Sequence, residues 1–159
     1  MRVVIIGNSG SGKSTLARRL AEAACVPVLD LDTIAWEGGP EPVRSDSADS
    51  LARLRAFCDA SPGWVVEGCY GELARAALAW RPELLLLDPG EAACLANCRA
   101  RPWEPHKHAS RAAQDAALPS LLAWVADYYR RDGELSQAFH RALFDAYDGP
   151  KRFLAVPPR

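Results

Sequence analysis

Gly7-Asn8-Ser9-Gly10-Ser11-Gly12-Lys13-Ser14 satisfies G-x-x-x-x-G-K-[ST] at every fixed position. Its flanks decide the fold. Before it, Val3-Val4-Ile5-Ile6 is a continuous β-branched run, as in a strand buried on both faces. After it, residues 13–24 place Leu16, Leu20 and Ala24 on one face and Arg18, Arg19 and Glu22 elsewhere, which predicts an amphipathic helix. A glycine-rich loop between a buried strand and a helix is a phosphate cradle. The glycines let successive backbone N–H groups turn inward, and the helix start adds unpaired donors and a positive dipole end. Lys13 is placed to reach β- and γ-phosphates, and the Ser14 hydroxyl to ligate Mg²⁺. Residues Gly7, Asn8, Ser9, Gly10, Ser11, Gly12, Lys13, Ser14 and Thr15 are therefore the expected nucleotide-binding set, with ATP and Mg²⁺ as ligands.

Working outward, short apolar runs alternate with helical stretches. Further strands are expected at Val26–Asp30, Trp64–Glu67, Glu83–Asp88 and Arg152–Val156. Helices are expected at residues 47–59, 72–80, 89–100, about 112–131 and 134–147. Gly38–Asp46 and residues 101–110 read as loops. Strands alternating with helices imply βαβ units, hence an α/β fold with a parallel sheet and helices on both faces.

The 159 residues suit a single domain, 1–159. Apolar residues make up 49% and charged residues 25%, an ordinary soluble balance, and the net charge is −1. That charge, with no basic stripe, disfavours nucleic acid as a partner and argues against an NTPase working on it. The apolar run at the start is too short for a signal peptide or a membrane span. The five cysteines are odd in number and form no C-x-x-C pair, which reads as reduced thiols in a cytoplasmic protein. Cys94 and Cys98, one helical turn apart ahead of His106-Lys107-His108, match no common structural zinc spacing.

Acidic residues cluster at strand ends. In Leu29-Asp30-Leu31-Asp32 the period-two alternation puts both carboxylates on one strand face, beyond the carboxyl end where α/β sheets hold ligands. Asp30 is a candidate to support the metal, and Asp32 to orient an acceptor hydroxyl and take its proton. A capping role competes for either residue. Two later acids compete for one place. Asp88-Pro89-Gly90-Glu91 reads as a helix start, with Asp88 as N-cap and Pro89 at the first position, so Glu67 is preferred as the functional strand-end acid. After the fourth strand, Arg99 and Arg101 lead a loop with Trp103 and Lys107, where mobile cations can meet the transferring phosphoryl group.

Together these segments resemble the small P-loop kinases (adenylate, shikimate and gluconate kinases), over about residues 1–110. The likeness is greatest to the bacterial topology modulation protein group, through Leu29-Asp30-Leu31-Asp32-Thr33-Ile34-Ala35-Trp36 and Trp64-Val65-Val66-Glu67-Gly68-Cys69-Tyr70. The resemblance implies a three-layer P-loop NTPase fold with strand order 2-3-1-4-5 and a lid at about residues 99–111. It also implies acceptor contacts from the segment holding Trp36 and Arg44. The chain departs from adenylate kinases, whose strand-three acid-Gly is closely followed by Arg. Here the next Arg is Arg75. It also lacks the run of glycines that shikimate kinases carry there.

The function these features imply is ATP- and Mg²⁺-dependent transfer of a phosphoryl group to an unidentified small-molecule acceptor, by a monomer or homodimer. Lys13, Asp32, Glu67, Arg99 and Arg101 are the expected catalytic residues, Ser14 and Asp30 the metal residues, and Asp32, Trp36 and Arg44 the substrate residues. The alternative is a regulatory protein that uses nucleotide binding or hydrolysis as a conformational switch.

Overall fold

The computed structural model describes residues 1–37, 42–105 and 107–156. In chain order it runs β1 (Arg2–Gly7), α1 (Lys13–Ala24), β2 (Val28–Asp30), α2 (Asp32–Ala35), β3 (Trp36–Glu37), β4 (Val43–Arg44), α3 (Ser47–Ala60) and β5 (Trp64–Gly68). There follow α4 (Gly71–Ala77) with a 3₁₀ turn at Leu78–Trp80, β6 (Glu83–Leu87), α5 (Glu91–Arg99), α6 (Arg111–Asp127), α7 (Gln137–Ala146) and β7 (Lys151–Leu154).

Five strands form one sheet in the order β2-β5-β1-β6-β7, every pair parallel. Counting those five along the chain, this is the expected 2-3-1-4-5. The central strands are apolar on both sides because helices cover both faces. Val4, Ile6, Val66, Leu84 and Leu86 pack in one core with residues of α2, α3, α4 and α7. Their neighbours Val3, Ile5, Val65, Leu85 and Leu87 pack in another against Leu16, Ala17 and Ala21 of α1. A smaller cluster of Cys94, Cys98 and Val125 joins α5 to α6.

Several expectations are corrected. The strand after α1 stops at Asp30, and Asp32 opens a helix, so the two carboxylates do not leave one strand face. The cause is local competition for backbone groups. Asp30 Oδ1 accepts from the Asp32 N–H at 2.9 Å, and the Thr33 hydroxyl donates to the Asp30 carbonyl at 2.7 Å. The stretch read as a loop, Gly38–Asp46, carries β4, which pairs antiparallel with β3 just before it, Trp36 opposite Arg44 and Glu37 opposite Val43; residues 38–41 lie outside the described residues. Asp88 is not an N-cap. Helix α5 starts three residues later, with Gly90 at its N-cap and φ 93°. The paired helices after the lid end earlier than expected, at Asp127 and Ala146.

Candidate active site

The phosphate loop is held from both neighbouring helices. Asn8 Nδ2 donates to the Val125 carbonyl of α6 at 2.9 Å, and Asn97 Nδ2 of α5 donates to the Gly10 carbonyl at 2.8 Å. Gly10 has φ 77°, and a Cβ there would meet the Cys94 carbonyl and stand 2.7 Å from Cys98 Sγ. The loop thus lies against α5 where only glycine allows it. Lys13 Nζ folds back to donate to the Asn8 carbonyl at 2.8 Å.

The fit to a polyphosphate follows from what is left unpaired. Helices α3, α6 and α7 are each capped by a side chain, from Asp46, Ser110 and Ser136. Helix α1 has Gly12 at its N-cap, no side-chain cap and no acid in its first turn. Its first N–H groups and dipole end therefore remain available to an anion. Ser14 and Thr15 are exposed there.

The acids gather at the carboxyl ends of β2 and β5. Asp30 stands in register with Glu67 on the adjacent parallel strand. Glu67 is 3% exposed, and its carboxylate has no hydrogen bond or ion pair among the described residues. Burial pushes the Asp30 carboxyl up to about 6, with further contributions from the Glu67 and Asp32 charges, partly offset by the Asp32 N–H and Lys107. Among the described residues no group of three or more His, Cys, Asp or Glu could by itself hold a metal ion. A Mg²⁺ here would be held by Ser14 and phosphate oxygens, with the acids reaching it through its water.

Asp32 heads a second group of contacts. Its Oδ1 accepts from the Tyr70 hydroxyl at 2.7 Å, and that hydroxyl accepts from Trp36 Nε1 at 2.7 Å. The Arg44 guanidinium lies 4.8 Å over the Tyr70 ring and 5.5 Å over the Trp36 ring, and pairs with Glu134 at 3.2 Å. The structure thus brings Asp32, Trp36 and Arg44 together, although no strand-face argument connects them. A cavity of about 260 Å³ opens beside them, lined by Arg44, Ser45, Ser50, Leu51, Leu73 and Glu134.

Of the lid, residues 99–105 and 107–111 are described, and His106 lies outside them. Arg101 pairs with Glu104 at 3.5 Å. Arg99 is exposed and has no ion pair among the described residues. The lid cation that reaches the acids is Lys107, 3.8 Å from Asp32 Oδ2. Asp88 is engaged structurally, its Oδ1 accepting from the Tyr129 hydroxyl at 2.6 Å and the Gly90 N–H at 3.2 Å.

Sequence reasoning missed His140 and Tyr70. His140 is fully buried. Its Nδ1 lies 2.9 Å from the Tyr128 hydroxyl and its Nε2 2.8 Å from the Cys69 carbonyl. Burial lowers its pKa to about 4. The neutral ring therefore donates to Cys69 and accepts from Tyr128, tying α7 and the end of α6 to the turn after β5. A lone His and a lone Tyr carry no sequence signal of such partners.

A family model described as an AAA domain matches residues 2–158, nearly the whole chain. The chain belongs to the AAA domain family. Cytidylate kinases from two strains of Nitratidesulfovibrio vulgaris are 42% identical to this AAA domain protein over 59 residues. That segment is 35% of this chain and 25% of theirs, so the chain matches about a quarter of these relatives' length. Among solved structures, a sugar kinase from Janibacter sp. HTCC2649 superposes with TM-score 0.50 and 20% identity, over 96% of this chain and 83% of that one. A gluconokinase from Sinorhizobium meliloti 1021 gives TM-score 0.47 and 18% identity, over 92% and 97%. The family match covers residues 2–158, and the Janibacter superposition shows a shared fold.

Proposed function

We propose that this AAA domain protein is an ATP- and Mg²⁺-dependent phosphotransferase acting on a small-molecule acceptor, a cytoplasmic single-domain enzyme of the small-kinase type, nearest the topology modulation proteins. The observation that carries this reading is the placing of three carboxylates beside an uncapped phosphate loop. Asp30 and Glu67 are in register on neighbouring strands, and Asp32 begins the helix that follows. Glu67 is 3% exposed and has no hydrogen bond or ion pair among the described residues, and a hydrated Mg²⁺ would give its carboxylate a partner.

In this reading the loop N–H groups and Lys13 bind the triphosphate, and Ser14 ligates the metal with Asp30 and Glu67 behind it. The acceptor sits by Trp36 and Arg44. Its hydroxyl oxygen bonds to the γ-phosphorus, its proton passes to Asp32, and the bond from that phosphorus to the bridging oxygen breaks to release ADP. Arg99 and Arg101, with Lys107, supply the lid charge that meets the transferring group. The test is ATP consumption by the purified chain with Mg²⁺ against a panel of nucleosides, nucleotides, sugars and hydroxy acids. One class should stimulate ADP release by at least about tenfold over water alone. ATP that binds tightly while no acceptor raises turnover would leave the protein a nucleotide switch.

A further inference from the structure

The two oxygens of Asp32 have different surroundings. Oδ1 takes the Tyr70 proton at 2.7 Å, whereas Oδ2 has Lys107 Nζ of the lid at 3.8 Å. Tyr70 is 5% exposed, and its hydroxyl already accepts from the Trp36 indole at 2.7 Å. With that direction filled, its own proton has one destination, Asp32. Burial first, and the Asp32 charge next, hold the phenol well above its usual pKa, so it stays a donor. The ring is clamped as well. Arg44 covers it at 4.8 Å, and the turn that carries it is tied on one side by His140 to the Cys69 carbonyl, at 2.8 Å. On the other side the Gly71 N–H donates to the Glu134 carbonyl at 3.2 Å.

Asp32 itself sits on a four-residue helix, with its side chain 48% exposed. Nothing in α2 fixes its carboxylate torsion; the 2.7 Å Tyr70 hydrogen bond is the short contact that orients it, with Lys107 farther off at 3.8 Å. We propose that Tyr70 is the positioning residue of the acceptor site. It occupies Asp32 Oδ1 from a hydroxyl locked by Trp36, and leaves Oδ2 as the oxygen that aligns the acceptor hydroxyl and receives its proton. Catalytic alignment is sensitive to displacements of about 1 Å, so a carboxylate free to rotate would be a poorer base even at unchanged affinity. The proposal rests on the phosphotransferase reading above.

Tyr70→Phe removes one oxygen and keeps the ring under Arg44. With an acceptor found in the panel, kcat should fall about tenfold while KM for ATP stays within about twofold. The deciding comparison is with Asp32→Ala. The double variant should be no slower than Asp32→Ala alone, because Tyr70 acts only through Asp32. A thermal-unfolding cycle on the same variants should show the same non-additivity, whatever the acceptor. Trp36→Phe, which deletes the N–H that aims the Tyr70 proton, should lower kcat about threefold in the same pattern and covers the case that Tyr70→Phe folds poorly. Full kcat in Tyr70→Phe, or a further tenfold loss on top of Asp32→Ala, would overturn the assignment. A wild-type chain that phosphorylates nothing in the panel would instead remove the phosphotransferase reading, and this proposal with it.

Discussion

Lys13 is buried and spends its ammonium on the Asn8 carbonyl, 2.8 Å away, so a triphosphate has only to outcompete one backbone oxygen. Lys13→Ala should cost at least about tenfold in ATP affinity or turnover, roughly 1.4 kcal/mol, by calorimetry and initial rates. Unchanged ATP binding in a folded variant would end the phosphate-loop assignment. The two strand-end acids separate in the same way. Asp88 Oδ1 serves Tyr129 and Gly90, and an Asn oxygen can accept both bonds, so Asp88→Asn should leave Mg²⁺-dependent turnover nearly intact. Glu67 is 3% exposed and has no hydrogen bond or ion pair among the described residues, so Glu67→Gln should lower turnover by about tenfold or more and leave the melting temperature nearly unchanged. Loss of turnover in Asp88→Asn with none in Glu67→Gln would show that the acids are reversed.

At the scale of elements, legibility in the sequence tracks how much of the chemistry is local. The phosphate loop was legible because backbone approach and φ values restrict Gly10 and Gly12, and because its flanking strand and helix differ in period. Helix α2 was not, since Leu29-Asp30-Leu31-Asp32 alternates like a strand and only the Asp30 and Thr33 side chains, capturing backbone groups, end it. Asp88 read as a cap until Gly90, at φ 93°, moved the helix start. His140 was illegible because its partners lie 12 and 71 positions away. That brace and Asp30 give opposite pH responses. The His140 pKa falls from 6.5 to about 4 on folding, so its stability contribution is present above 6.5 and lost as pH falls toward 4. The Asp30 pKa rises from 3.8 to about 6, so its contribution is present below 3.8 and lost as pH rises through 6. Between about pH 4 and 6 the two oppose each other. Chemical denaturation across that window should show stability falling with acid more steeply in Asp30→Asn than in the wild type. In His140→Gln it should fall less or rise, with slopes differing by up to about 1.4 kcal/mol per pH unit. Parallel slopes in all three proteins would contradict both assignments.

At the scale of the whole molecule, the strand order sets what can meet. The lid leaves the chain after α5, behind β6, yet its Lys107 reaches Asp32 at the far end of the sheet, beyond β2. β6 and β2 are separated by β1 and β5 in the sheet, yet the segment after β6 and α5 brings Lys107 to the helix that follows β2. A protein that only senses nucleotide has no need to bring a lid cation to a carboxylate that neither caps a helix nor lies on the loop. A phosphotransferase does, because acceptor, γ-phosphate and lid must converge. Asp32 decides between the two. In the switch reading its role is limited to the metal, so Asp32→Asn would weaken Mg²⁺-ATP binding along with any hydrolysis. In the transfer reading Lys13, Ser14 and Asp30 suffice for Mg²⁺-ATP, and Asp32 meets the acceptor. Asp32→Asn should then keep Mg²⁺-ATP affinity within about threefold, less than 1 kcal/mol, by calorimetry. The amide oxygen can still accept from Tyr70, so the site should stay assembled, but it cannot take the acceptor proton. Acceptor phosphorylation should therefore fall by about 10² or more. A parallel loss of binding and turnover would make Asp32 a metal residue and return the lid contact to the service of a switch.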